Sequence, residues 1–309
     1  MSPNARRVDF GYNPPSGTRG VEHFPASTFV RDLQDALDIA SQAFTSLWVS
    51  DHLMTVEPFR MECWTQLTWI AARYPGPLVG TMVMANNYRH PPLLAKMAAS
   101  LQVFSRGRLI LGYGAGWHEQ EYRGYGYEFP SARVRIEQMV EGLQIMRAMW
   151  THSPATFHGI HYHVEEAYCE PRPEPPPLVM IGGDGEQRTL RAVAEYADWW
   201  NAIMRPVPVL RHKLDVLERH CADVGRDFAS IRKTLTRVVY LSRDRSEAQR
   251  WAGAKLDGPN PPFVGEPAAL VEHLQELAEL GFDHFQMVFA RFPETDDLRL
   301  FVDEVMPAF

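Results

Sequence analysis

The 309-residue sequence predicts an α/β fold, a (β/α)8 or TIM barrel built as a single domain over residues 1–309. Three observations predict it. Short apolar runs rich in β-branched residues alternate with longer segments of helical periodicity, the pattern of parallel strands joined by helices. The runs number eight. A chain of about 300 residues supplies the length that eight strand–helix units require. An open doubly wound sheet is the structural rival.

The first run, 8–11 (VDFG), precedes the helical pattern STFVRDLQDALDIASQA, with Ser27 as its starting cap. The second run is 45–50 (TSLWVS) and the third 78–84 (LVGTMVM), after which periodicity marks the helix PPLLAKMAASLQVFS. The fourth, 108–113 (RLILGY), leads to the long amphipathic SARVRIEQMVEGLQIMRAMW. Residues 178–182 (LVMIG), 199–203 (WWNAI) and 234–241 (TLTRVVYL) each precede a helix: EQRTLRAVAEYA, VPVLRHKLDVLERHCADVG and EPAALVEHLQELAELG. Gly281 terminates the last of these. The eighth run, 284–290 (HFQMVFA), leaves a final helix near DDLRLFVDEVM. Residues 152–177 interrupt the alternation between the fourth helix of the barrel and its fifth strand, and their proline-rich second half suits a short hairpin followed by an extended arm. Residues 252–267, also irregular, are a candidate lid.

Composition narrows the function classes. The chain is 45% apolar and 22% charged, with a mean hydropathy of -0.27. Its formal charge of -7 leaves no basic footprint for nucleic acid, so a small-molecule substrate is the expected partner. No stretch approaches the roughly 18 uninterrupted apolar residues of a membrane span, and the opening MSPNARRVDFGYNPPSG has no apolar signal segment. A cytoplasmic location is expected. Cys63, Cys169 and Cys221 are scattered, without the close pairs of a zinc site or a disulfide framework, and should be reduced thiols.

A barrel places chemistry at the carboxyl ends of its strands. Those ends carry Asp51-His52 after the second run, residues 85–91 (ANNYRHP) after the third, Gly114-Ala115-Gly116-Trp117-His118 after the fourth and Gly182-Gly183-Asp184-Gly185 after the fifth. Gly112, Gly114 and Gly116 alternate, which would let a flat ring approach the backbone; a tight strand-to-helix turn explains them equally. The spacing is not a dinucleotide fingerprint, because Trp117 stands where its last glycine should be. After Gly182-Gly183, Asp184 can cap the next helix with Gln187 as its box partner, and the free N–H groups of that turn would make a phosphate site. His52 is the titratable group best placed for proton transfer, and on a regular strand only one of Asp51 and His52 could face the mouth. His161-x-His163 and His118-x-x-Glu121 each offer two metal ligands, but no third is evident, so no metal is expected; Met139, Met146, Met149 and Trp150 read as core.

Taken together, LWVSDHL, the block VGTMVMANNYRHPPLLAKMAASLQVFSRGRLILGYGAGWHEQEYRGYG, HGIHYHV, IGGDGEQRTLRAVAEYADWWN and VGEPAALVEHLQELAELGFDHFQM resemble the luciferase-like monooxygenase superfamily, in the branch that uses the deazaflavin coenzyme F420. The resemblance implies a bacterial luciferase-like barrel with an insertion between helix 4 and strand 5, a homodimer, and a tricyclic ring at the mouth backed by a non-proline cis peptide, here Met82-Val83. It puts Asp51 and Ala85 near the ring, Ala115 and Gly116 beside it, Gln120 in contact with coenzyme, and Gly182, Gly183, Gly185 and Glu186 around the phosphorylated tail. His52 takes the catalytic position of acid or hydrogen-bond partner. Trp117 departs from the acidic proton acceptor of the branch's sugar-phosphate dehydrogenases, and Arg205 is the one cation in WWNAIMRPVPVLRH placed near enough to meet an anion. The expected activity is hydride transfer between F420 and a small organic substrate. Rivals are an FMN-dependent monooxygenase fed by a separate coenzyme reductase, a non-catalytic flavin-binding barrel and a metal-dependent hydrolase. The aromatics Tyr12, Phe59, Trp64, Trp199 and Trp200 suit either an apolar substrate pocket or helix packing.

Overall fold

The computed structural model describes residues 7–17, 25–55, 59–257 and 260–309. In chain order the strands are β1 (Asp9–Tyr12), β2 (Ser46–Val49), β3 (Leu78–Thr81), β4 (Met84–Ala85), β5 (Leu109–Gly114), β6 (Ala155–His158), β7 (His163–Ala167), β8 (Leu178–Gly182), β9 (Trp199–Ala202), β10 (Arg232–Leu241), β11 (Phe263–Gly265) and β12 (His284–Phe289). The main helices are α1 (Ala26–Ala43), α2 (Cys63–Arg73), α3 (Pro91–Phe104), α4 (Glu119–Gly124), α5 (Ala132–Thr151), α6 (Thr189–Tyr196), α7 (Val207–Asp223), α8 (Arg245–Ala252), α9 (Pro267–Glu279) and α10 (Asp296–Leu300).

Every predicted run is a barrel strand. The parallel order β1-β2-β3-β5-β8-β9-β10-β12 returns to β1, where Phe10 lies opposite Phe285, and the β9–β10 pairing closes the circle. An open sheet is thereby ruled out. The short β4 continues the third strand along β5 after a break at Met82-Val83, and β11 pairs in parallel with the last residues of β10, 239–241. Residues 152–177 form the expected antiparallel hairpin, β6 with β7, followed by an arm without regular structure. Of the candidate lid, residues 258–259 lie outside the described residues; 253–257 form a 3-10 turn.

Bulky side chains fill the floor of the barrel: Trp48, Ile110, Met180 and Trp199 are buried together, and a Cβ on Gly11 or Gly80 would overlap the Trp48 ring. Above them Asn201, Thr234 and Gln286 bond one another at 3.0 to 3.1 Å, which satisfies polar groups inside an otherwise apolar tube. Outside, the strands meet the helical layer through aromatic contacts such as Phe10 of β1 with Phe301, just past α10, at 5.1 Å. Each such ring removed from water is worth about 2 kcal/mol or more. Tyr12 and Trp200 belong to this packing, Phe59 and Trp64 pack against it, and Trp199 belongs to the barrel floor. Cys63, Cys169 and Cys221 are buried and free. Among the described residues, no helix is long and apolar enough to cross a membrane.

Several local expectations need correction. The first helix starts at Ala26 behind Pro25, whose carbonyl accepts the Phe29 amide at 3.0 Å, so Ser27 lies inside the helix and caps nothing. Gly281, at φ 106, does end α9: the Phe282 amide reaches back to the Leu277 carbonyl at 3.3 Å. The helix after β8 begins at Thr189, without a side-chain cap from Asp184. The last helix is α10 followed by wider π turns over 301–305. Helices α2, α4 and α8 were not anticipated; α2 buries Cys63, Leu67, Ile70 and Ala71 at helical spacing, and Glu62 caps it by accepting the Trp64 and Thr65 amides.

Candidate active site

A cavity of about 590 Å³ opens at the carboxyl ends of the strands. Its size is that of a small-molecule site. Its wall includes Asp51, His52, Met82, Val83, Ala85, Ala115, Gly116, Gly182, Gly183 and Gly185, so the fold gathers ten of the twelve site residues expected from the sequence. Gln120 and Glu186 are not in the wall. Gln120 is exposed on α4, and its neighbour Glu121 turns inward instead. Glu186 meets Lys213 Nζ at 2.7 Å and His212 Nε2 at 3.2 Å, and the Lys213 hydrogen bond is the main cause holding its carboxyl below the usual range. Of the aromatics singled out as a possible pocket, none lines the cavity; Trp117, 71% exposed, does.

Both Asp51 and His52 line the cavity, because β2 ends at Val49 and the pair sits beyond the regular pleat. Their roles differ. Asp51 is buried and spends its carboxylate on protein: Oδ2 accepts the Ala85 amide at 3.0 Å, and Arg89 clamps both oxygens at 2.9 and 3.1 Å. It thereby ties the segment after the cis peptide Met82-Val83 to the end of β2. A Cβ on Gly114 would stand 2.8 Å from Val83 Cγ2, and one on Gly182 would stand 3.0 Å from both Val83 methyls. The glycines at these two mouths therefore make room first for the Val83 side chain, which forms part of the wall. Gly116, at φ +73, clears space for the Tyr122 hydroxyl, and its carbonyl accepts Arg135 Nε at 3.2 Å.

His52 meets a buried carboxylate. Its Nδ1 lies 2.9 Å from Glu121 Oε2, the Tyr88 hydroxyl donates to the same oxygen at 3.0 Å, and the Met54 amide donates to Oε1 at 3.0 Å. Burial alone would raise the carboxyl of Glu121, but the bonds from His52 and the Met54 amide outweigh it, so the group is held below the usual carboxylate range. Burial, followed by the charge of Glu121, pushes the Tyr88 hydroxyl well up and keeps it a donor. With Nδ1 donating to a carboxylate, Nε2 is the atom of His52 that can give or take a proton. Trp117 stands edge-on to the His52 ring at 5.9 Å. Glu121, Tyr88 and Arg135 escaped the sequence reading as wall residues; for Glu121 the signal was present in its spacing from His118, but not the partner 69 positions earlier.

That partner also changes the metal question. His161 precedes β7, so His161 and His163 do not share a strand face. His118 and Glu121, in contrast, gain a third ligand-type neighbour in His52, all three ligand atoms lying within 4.8 Å of one another.

At the glycine loop after β8, Asp184 turns to Arg205, Oδ2 to Nε at 3.1 Å, rather than to the helix. A tertiary cation outcompetes the local cap. Arg205 is thereby engaged, and Asp184 and Glu186 both carry cationic partners, which offset the negative charge these carboxylates bring to the loop.

The family model described as luciferase-like monooxygenase matches residues 16–284. The chain belongs to that family. An F420-dependent glucose-6-phosphate dehydrogenase of Kineococcus radiotolerans is 29% identical over 262 residues, 78% of this chain and 74% of that protein. An F420-dependent hydroxymycolic acid dehydrogenase of Mycobacterium tuberculosis is 27% identical over 270 residues, 82% of this chain and 73% of that protein. Among solved structures, an F420-dependent secondary alcohol dehydrogenase in complex with an F420-acetone adduct superposes with a TM-score of 0.83 at 19% identity, over 98% of this chain and 99% of that one. The luciferase-like barrel is thus the fold of this chain, and its named relatives are oxidoreductases.

Proposed function

We propose that this luciferase-like oxidoreductase is F420-dependent and transfers a hydride between the deazaflavin and a small organic alcohol or carbonyl compound. The observation that carries the proposal is the pairing of His52 with buried Glu121 on the same cavity wall as Val83 and the glycine loops. The residues present suit a flat coenzyme: Met82 and Val83 offer an apolar backing, and Gly114 and Gly182 allow it by lacking the Cβ atoms that would displace Val83. Gly183 and Gly185 expose backbone where a phosphorylated tail would lie, with Asp184 and Glu186 neutralised by Arg205 and Lys213. When bound, F420 supplies a carbon centre that exchanges a hydride.

The protein handles the proton. As an alcohol becomes a carbonyl, its hydroxyl proton passes to Nε2 of His52; in the reverse direction His52 returns it. Glu121 stabilises the imidazolium through Nδ1, and Tyr88 and the Met54 amide hold that carboxylate in place. Asp51, through Ala85 and Arg89, fixes the position of the Val83 wall. The test is His52→Asn assayed with F420: turnover should fall about 100-fold or more while coenzyme affinity changes little, the size expected for loss of general acid–base help. Equal turnover in the variant would remove His52 from the chemistry. Binding of F420 without turnover of any alcohol or ketone by the wild type would favour a carrier.

A further inference from the structure

We propose that His52, His118 and Glu121 form a reversible binding site for a divalent cation of the zinc class, such as Zn2+ or Co2+, at the edge of the cavity. Two imidazole nitrogens and one carboxylate oxygen are a donor set that suits such ions and disfavours Mg2+ and Ca2+, which prefer all-oxygen shells. The spacing is close to what coordination needs. His52 Nδ1 lies 2.9 Å and His118 Nδ1 3.2 Å from Glu121 Oε2. Donors around a tetrahedral cation at about 2.0–2.1 Å stand ~3.4 Å apart, so these two edges need open by only a few tenths of an ångström.

Two further observations point to a ligand. His118 Nδ1 is shielded from solvent and makes no hydrogen bond: it is near Glu121 Oε2 but not aligned with it. The carboxylate is already oriented by groups that would remain in place around a cation, the Met54 amide on Oε1 and the Tyr88 hydroxyl on Oε2. His52, His118 and Glu121 all line the cavity, leaving the remaining coordination positions open to water. No contiguous sequence motif announces the set, because the loop after β2 and the start of α4 each supply only part of it.

A cation on Nδ1 would leave the neutral ring of His52 with its proton on Nε2, unable to accept another, so occupancy would act as a brake on alcohol oxidation. That consequence rests on the hydride-transfer role; the binding does not, and its test needs no coenzyme. The purified full-length chain, freed of metal with a chelator, is titrated with Co2+, and the visible d–d absorption and bound metal per chain are read. We expect one Co2+ per chain with the strong bands of low coordination number, displaced by Zn2+, and an affinity at least tenfold weaker in His118→Ala. His118→Gln, at a half-buried position, serves as a second variant, with circular dichroism confirming that both fold. Absence of stoichiometric Co2+ binding, or wild-type affinity in both His118 variants, would overturn the proposal. So would loss of the signal in His163→Ala alone, since His158, His163 and Glu165 form an exposed cluster on the β6–β7 hairpin.

Discussion

Asp297 should make the protein less stable as the pH rises through the neutral range. It lies in the first turn of α10 with no exposed surface; Oδ1 accepts the Leu298 amide at 2.9 Å, and Oδ2 has no partner. Burial pushes its carboxyl from an ordinary 3.8 up to about 7, against the opposing pull of Arg291. The folded chain therefore keeps a proton that the unfolded chain gives up, and between those two values each further pH unit removes about 1.4 kcal/mol of stability. The full penalty above the folded value is about 4 kcal/mol, of which about 3 kcal/mol falls between pH 5 and pH 8. Asp297→Asn keeps the shape and the Oδ1 acceptor but cannot ionise. Urea unfolding of both proteins across that range should show the variant's advantage growing by about 3 kcal/mol from pH 5 to pH 8 and levelling off above neutrality. An advantage that is the same at both ends would refute the assignment of a buried neutral acid to this position.

Three further perturbations probe the site. Glu121→Gln removes the charge opposite His52 and should lower kcat about 10- to 100-fold with a smaller change in KM, the size of a lost charge-assisted hydrogen bond, measured by steady-state kinetics. Gly116→Ala drives a Cβ into the Tyr122 hydroxyl at φ +73 and should destabilise the fold by about 2 kcal/mol or more in urea unfolding. Asp51→Asn leaves the part-buried Arg89 guanidinium with Glu62 as its remaining carboxylate and should cost about 3 kcal/mol, with weakened coenzyme binding as Ala85 and Val83 lose their anchor; calorimetry checks both.

The barrel was legible because each strand is a run buried on both faces and each long helix keeps an apolar stripe, signals that need only neighbours in sequence. What escaped depended on partners far away. Asp184 has the sequence of a cap, yet Arg205, 21 residues on, takes it. The glycines at the ends of β5 and β8 read as room for a flat ring, but Val83 occupies part of the space they vacate, and the position of that side chain follows from the chain path between β3 and β4. The inward member of α4 is Glu121 and not Gln120, a difference of one residue on a six-residue helix, too short for periodicity to set its phase. Helix α2 hid behind an unusual cap, Glu62, which Arg89 also binds. His52 itself was legible from its place after an apolar strand; its carboxylate partner was not.

The most direct test of the F420 assignment is a side-by-side equilibrium titration of the purified chain with reduced F420 and reduced FMN, with dissolved oxygen recorded. Saturable binding of the deazaflavin without oxygen uptake is the result that the F420 assignment requires. Binding of FMN with rapid oxygen consumption, and none of F420, would contradict it.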